Sequence, residues 1–298
     1  MTLIMATRKL LTLVFLSVGI GIAFLLSWFI VFKDGSLTKF NGQRAYKDLL
    51  TQVSFGPRTP GSIAHARTIK YIQDELEMAG WKSSLQETNW DGFSVRNIIA
   101  FRSNASPLLI IGAHYDSRIN ADRDPGNGQD NSVLGANDGA SGVAVLLELA
   151  RVLPVDSIST WLVFFDAEDN GGLDNREWVM GSQAFVNELI IQPISVVIVD
   201  MVGDADLNIY IEHNSDPVLV SEIWAQAEII GYGKYFINTP KYDLIDDHTP
   251  FLDAGIPAVD IIDFDYPYWH TSADTVDKTS ARSLRVVGET LLTWIESK

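Results

Sequence analysis

Apolar residues recur along the chain in two distinct rhythms. Over 42–53, 65–80, 139–153, 178–189, 216–231 and 280–295 they fall near the helical period. In the second of these, Ala66, Ile69, Ile72 and Leu76 mark one face; Ser62 can cap the start, and Gly80 ends it. Over 94–101, 107–113, 160–165, 195–201, 207–212 and 258–264 they form short continuous runs instead, among them LLIIGA, TWLVFF and SVVIVDM. Unbroken apolar runs suit strands buried on both faces. Strands alternating with helices predict an α/β fold: an open, mostly parallel sheet with helices on both faces, forming one domain over 42–298.

One apolar stretch stands apart from both rhythms. Residues 10–32, LLTLVFLSVGIGIAFLLSWFIVF, carry no charge. About 20 apolar residues span the hydrocarbon core of a bilayer as a helix. Arg8 and Lys9 precede the stretch, and Lys33 and Asp34 follow it. Basic residues before the span favour an N-terminus on the cytoplasmic side. The expected plan is a cytoplasmic tail over 1–9, a single transmembrane anchor over 10–32, a linker over 33–41, and an extracytoplasmic domain. A cleaved signal peptide fits less well. Its apolar region runs to only ~7–15 residues, and no small-x-small cleavage pattern follows here.

Composition narrows the chemistry. The 298 residues hold 22 Lys+Arg against 38 Asp+Glu, a formal net charge of −16, and no cysteine. Thiol nucleophiles, disulfides, iron–sulfur clusters and cysteine-based zinc sites are excluded. An acidic surface repels phosphate, so no nucleic-acid partner is expected. The 47% hydrophobic fraction rules out disorder.

In open α/β sheets, ligands bind beyond the carboxyl ends of the strands. There the sequence collects His114-Tyr-Asp116, Asn137-Asp138-Gly, Asp166-Ala-Glu168-Asp169, Asp200 and Trp269-His270-Thr. Two of the five histidines thus stand among carboxylates at one predicted rim; His65 and His213 have no obvious partners. Two imidazoles with three carboxylates form the ligand inventory of an oxygen-rich dinuclear zinc site.

The ordered series His114-Tyr-Asp116, Asn137-Asp138-Gly, Glu168-Asp169, Asp200 and His270-Thr-x-x-Asp274-Thr resembles the M28 zinc metallopeptidases. That family also includes the animal-type glutaminyl-peptide cyclotransferases. The resemblance runs from Phe55-Gly-Pro-Arg-Thr-Pro-Gly to the C-terminus. It implies that Asp138 bridges two zinc ions. Asp169 and His270 would complete one site, and His114 and Asp200 the other. Asp116 would orient the His114 ring, and Glu168 would be the general base. One departure is that the usual Glu-Glu pair is Glu168-Asp169 here.

The resemblance covers two reactions on one site. Asp246, in Ile-Asp246-Asp247-His248-Thr-Pro, and Trp269 resemble substrate-binding positions of the cyclases, where the Asp246 position shares a network with the Asp200 position. The complete ligand set, and Asp174 near the place where animal cyclases put a second pocket tryptophan, resemble the peptidases. The expected function is a membrane-anchored zinc aminopeptidase acting on peptide N-termini with two ions. The alternatives are a glutaminyl-peptide cyclotransferase, possible with one ion, and an ectodomain scaffold that has lost activity.

Overall fold

The computed structural model describes residues 40–103, 105–125 and 131–298. The expected anchor at 10–32 lies outside them, and no helix among the described residues is long and apolar enough to cross a membrane. In chain order the elements are α1 (Gly42–Ser54), α2 (Ile63–Met78), β1 (Lys82–Trp90), β2 (Phe93–Phe101), β3 (Leu109–His114), α3 (Ala140–Val152), β4 (Thr160–Phe165) and α4 (Met180–Glu188). There follow β5 (Ser195–Asp200), β6 (Ile209–Glu212), α5 (Pro217–Ile229), β7 (Phe236–Tyr242), α6 (Thr249–Asp253), β8 (Ala258–Ile262) and α7 (Ala281–Glu296).

The main sheet has the order β1-β2-β4-β3-β5-β8. Strands β4, β3, β5 and β8 are parallel, and β1 and β2 add an antiparallel edge. The sheet is therefore mostly parallel, as the unbroken apolar runs predict. Alternate residues of each run serve opposite faces. Leu162, Phe164, Val197 and Val199 join the large core under α1, α2, α3, α5 and α7. Val163, Phe165, Val196 and Ile198 join the smaller core under α4 and α6, with Phe185 and Phe251.

The strand order reverses beside β3. The chain steps from β3 to β4 on one side, then returns across β3 to β5 on the other. Ligand sites form outside the strand ends at such a switch point. His114 is the last residue of β3 and Asp200 the last of β5.

Three elements were not anticipated. β1 (KSSLQETNW) and β7 (FINTPKY) are polar and largely exposed, so no apolar run announces them. The helix α6 is only five residues long. A helix expected over 178–189 starts at Met180 instead, because Val179 takes a left-handed φ of 53°. This releases Trp178 from the helix. At the N-terminus of the domain, Phe40 is buried, and the Asn41 side chain caps α1 by accepting from the N–H groups of Gln43 and Arg44.

The small residues of Gly139-Ala-Ser-Gly142 let α3 lie directly on the sheet. A Cβ on Gly142 would stand 2.1 Å from the Val199 carbonyl oxygen and 2.9 Å from the Ala113 Cβ. Both neighbours are held by the sheet and cannot yield. Gly142→Ala is expected to destabilise the fold by about 1–3 kcal/mol or more, measured by urea denaturation.

Candidate metal centre and substrate pocket

Five side chains, from two strand ends and three loops, meet at the rim. His114 Nε2 lies 3.1 Å from both Asp138 Oδ1 and Asp200 Oδ1. His270 Nε2 lies 2.9 Å from Asp169 Oδ1 and 4.0 Å from Asp138 Oδ2. The two triads, His114-Asp138-Asp200 and Asp138-Asp169-His270, share Asp138. All five residues are buried. Asp138 Oδ2, Asp169 Oδ2 and His270 Nε2 have no hydrogen-bond donor or acceptor to satisfy them. Buried polar atoms are rarely left this way. A divalent cation between them would satisfy all three, and imidazole with carboxylate is a donor set that suits zinc.

The electrostatics agree. Burial pushes Asp200 up to about 7 despite the nearby His114, and burial followed by Asp138 pushes Asp169 well above the carboxylate range. Burial opposes charge on His114, but Asp200, Asp116 and Asp138 overcome it and draw the ring towards imidazolium. Burial holds His270 down to about 4 against the pull of Asp138, leaving a neutral ring. These are carboxylates crowded together without enough positive charge, which a bound cation supplies.

The bridging position is held by groups outside the triads. Asp138 precedes Gly139, whose φ of 91° opens α3. The N–H groups of Asn137 and Asp138 donate to Asp274, which also accepts from the Tyr266 hydroxyl. Arg58, wholly buried, donates to the carbonyls of Tyr115, Leu134 and Gly135.

Asp116 does more than face the His114 ring, whose Nδ1 is 3.4 Å away. It accepts from the backbone N–H of Glu168 at 3.1 Å and from the Asn170 amide at 2.9 Å, so it also sets the Glu168-Asp169 turn. His65 proves to have a partner: its Nε2 lies 2.7 Å from Asp166, at the root of that turn. The His270 ring is oriented by a residue the sequence did not single out. Asp122 Oδ1 lies 3.5 Å from His270 Nδ1. Arg118 grips Asp122 with two hydrogen bonds of 2.8 Å and donates to the Asp169 carbonyl at 2.7 Å. A carboxylate behind a metal-binding histidine is the usual arrangement. The segment after β3 offers several acids, so spacing alone could not choose among them.

Beside the triads lies a pocket of about 280 Å³. Glu168, Asp200, Asp246 and His270 form its polar side; Trp178, Trp269, Phe264, Leu244 and Ile262 form its apolar side. Trp269 lies tilted against His270 with ring centroids 3.8 Å apart, and Trp178 lies parallel to the same ring at 6.0 Å. The guanidinium of Arg123 covers Trp269 at 4.0 Å, and that of Arg118 covers Trp178 at 5.0 Å. The second indole wall is therefore Trp178. The position near Asp174 does not serve: Asp174 is exposed and pairs with Arg176. Trp178 reaches the pocket because Val179 breaks the helix and because Gly171 leaves room, a Cβ there falling 2.1 Å from the indole.

Two losses of metal are expected. His270→Ala should remove one donor of a triad and lower zinc content, measured by elemental analysis of the purified protein. Arg118→Lys keeps the charge but not the fork. It should weaken zinc binding by about 10–100-fold, measured by competition with a chelator; unchanged affinity would count against this role.

The family model described as Peptidase family M28 matches residues 97–295. The Zn-dependent exopeptidase from Parabacteroides distasonis is similar in structure, with TM-score 0.83 and 32% identity over 88% of this chain and 100% of that one. The glutaminyl cyclase of Tannerella forsythia has TM-score 0.81 and 35% identity over 87% of this chain and 99% of that one. The glutaminyl-peptide cyclotransferase of Boiga irregularis is 25% identical over 80% of this chain and 76% of its own length. Together with the ligand set at the rim, these matches place the chain in peptidase family M28, as an enzyme of either the exopeptidase or the glutaminyl cyclase kind.

Proposed function

We propose that the protein is a zinc-dependent glutaminyl-peptide cyclotransferase, converting N-terminal glutamine of peptides or proteins to pyroglutamate. The observation that carries this reading is the pocket. It is small and closed on one side by Trp178, Trp269 and Phe264, with Glu168 on the other. Cyclisation needs a glutaminyl side chain folded back on its own amine, and it needs competing water kept out. A small pocket lined by two indoles supplies both. His114, Asp138, Asp169, Asp200 and His270 would hold zinc, which when bound polarises the reacting amide carbonyl.

The residues of this chain then move one proton. The substrate α-amine attacks the side-chain amide carbon, forming the ring C–N bond and breaking the bond to the amide nitrogen, which leaves as ammonia. Glu168 takes the proton from the attacking amine and delivers it to the leaving nitrogen. Its backbone is fixed by Asp116, and its position beside the pocket suits this transfer.

Hydrolysis by an aminopeptidase is the second reading. It is favoured by the two complete triads on Asp138, which suit a pair of ions and a metal-activated water. As part of the proposal, the apolar residues 10–32 anchor the enzyme in a membrane with the catalytic domain outside, on the strength of Arg8 and Lys9 before them.

Incubating the zinc-loaded full chain with Gln-peptides and Leu-peptides, read by mass spectrometry, tests the choice. Loss of ammonia from an otherwise intact Gln-peptide is expected; loss of a residue would support hydrolysis. Glu168→Gln should lower turnover by about 10²–10⁴-fold with zinc retained.

A further inference from the structure

The Glu168 turn and the Trp178 wall are joined through their backbones. The Val179 N–H donates to the Glu168 carbonyl and the Met180 N–H to the Ala167 carbonyl, both at 3.3 Å. Gly181 lets the two segments press close: a Cβ there would stand 2.2 Å from the Asp166 carbonyl oxygen. Ala167 and Val179 both have left-handed φ values, 54° and 53°. Residues with a Cβ hold such a conformation only where their surroundings impose it. The candidate base and the indole wall therefore share one strained junction.

Ser182, in the first turn of α4, fastens that junction to a third segment. Its Oγ lies 3.1 Å from the Val179 carbonyl oxygen and 2.6 Å from Asp247 Oδ1. Ser182 and Asp247 are fully buried. Asp247 stands in the loop before α6, and its backbone N–H donates to Asp246 Oδ1. It thus fixes the carboxyl that lines the pocket. Every link from the Glu168 turn to Asp246 is a hydrogen bond or the chain itself.

The protons can be counted. One hydroxyl carries one proton, yet two oxygens face Ser182 Oγ. Asp247 Oδ2 has no donor, and a buried carboxylate with so little support is costly. Burial, and then Asp246, pushes Asp247 well above the carboxylate range. An acid proton on Asp247 Oδ1 goes to Ser182 Oγ, and the Ser182 proton goes to the Val179 carbonyl. Each proton serves one bond.

We propose that Ser182 and Asp247 form a latch between the walls of the catalytic pocket: Asp247 donates to Ser182, Ser182 donates to the Val179 carbonyl, and the joined pair holds Glu168, Trp178 and Asp246 in one arrangement. Neither Ser182 nor Asp247 lines the pocket, so both are positioning residues. The inference rests on the reading of this pocket as catalytic, not on which of the two reactions it performs.

The test separates positioning from plain support. Asp247→Asn keeps the shape and an N–H for Ser182 Oγ, whereas Ser182→Ala and Asp247→Ala cut the latch. The zinc-loaded full chain is assayed on whichever of the Gln-peptides and Leu-peptides it turns over. Ser182→Ala and Asp247→Ala should each lower kcat by about 10–100-fold, with KM and zinc content little changed. Asp247→Asn should retain most of the activity. The double variant of Ser182→Ala with Asp247→Ala should be no slower than the slower single one, because the residues act as a unit. Asp247→Asn as slow as Asp247→Ala, or unchanged kcat in Ser182→Ala, would overturn the latch; Ser182→Ala decides alone should Asp247→Ala fail to fold. Amide hydrogen exchange needs no activity and keeps this distinct from the proposed function. In Ser182→Ala, peptides covering 177–182 and 243–249 should exchange faster together, while those covering β3 and β5 stay unchanged. Faster exchange in only one of the two segments, in neither, or throughout the domain would overturn the latch even if the protein cyclised no glutamine.

Discussion

Asp138, Asp169 and Asp200 are almost wholly shut off from water and lie within reach of one another through two histidines. Like charges so placed repel strongly, and burial adds to the cost of each. Much of the surrounding structure answers that repulsion. Asp138 sits at the N-terminal end of α3, where the helix dipole favours negative charge. Arg58 and Arg118, both buried, bring fixed positive charge to the loops behind the ligands. What these groups leave uncompensated is the share of a bound cation. The two triads thus have the arrangement of a cation site already in place.

The same rim is where the backbone is least relaxed. Ala167, Val179, Met201 and His270 all have left-handed φ values, between 45° and 58°. Each is unfavourable for a residue with a Cβ, by roughly 1–3 kcal/mol. Ala167 precedes Glu168, Met201 follows Asp200, and Val179 follows Trp178; His270 is itself a candidate ligand. Such turns aim side chains back over the sheet. Hydrogen bonds from neighbouring elements maintain them, as when the Met201 N–H donates to Asp200 at 2.8 Å.

Much of this was legible in the amino acids alone. Unbroken runs such as TWLVFF announced the central strands, since a parallel strand is apolar on both faces. The acids and histidines directly after those runs fell on the rim by the geometry of the fold. The polar edge strands β1 and β7 were hidden, because strands that bury little need no apolar pattern. Trp178 was hidden inside an apparent helix, since its release depends on the φ of Val179 and on the space above Gly171. Asp122 was hidden for another reason. Nothing in the spacing around an acidic residue says which ring or carboxyl it will face.

The sequence by itself determined the α/β class, the five candidate ligands and the candidate base. These follow from local rules: periodicity sets the elements, and position after a strand sets the rim. Only the tertiary structure decided what surrounds them, from Arg118 behind two candidate ligands to the indoles of Trp178 and Trp269 against the His270 ring. Those contacts join residues distant in the chain through packing against a shared sheet. The chemistry available at a strand end can be read locally, but the shape of the pocket that selects a reaction exists only when the loops meet.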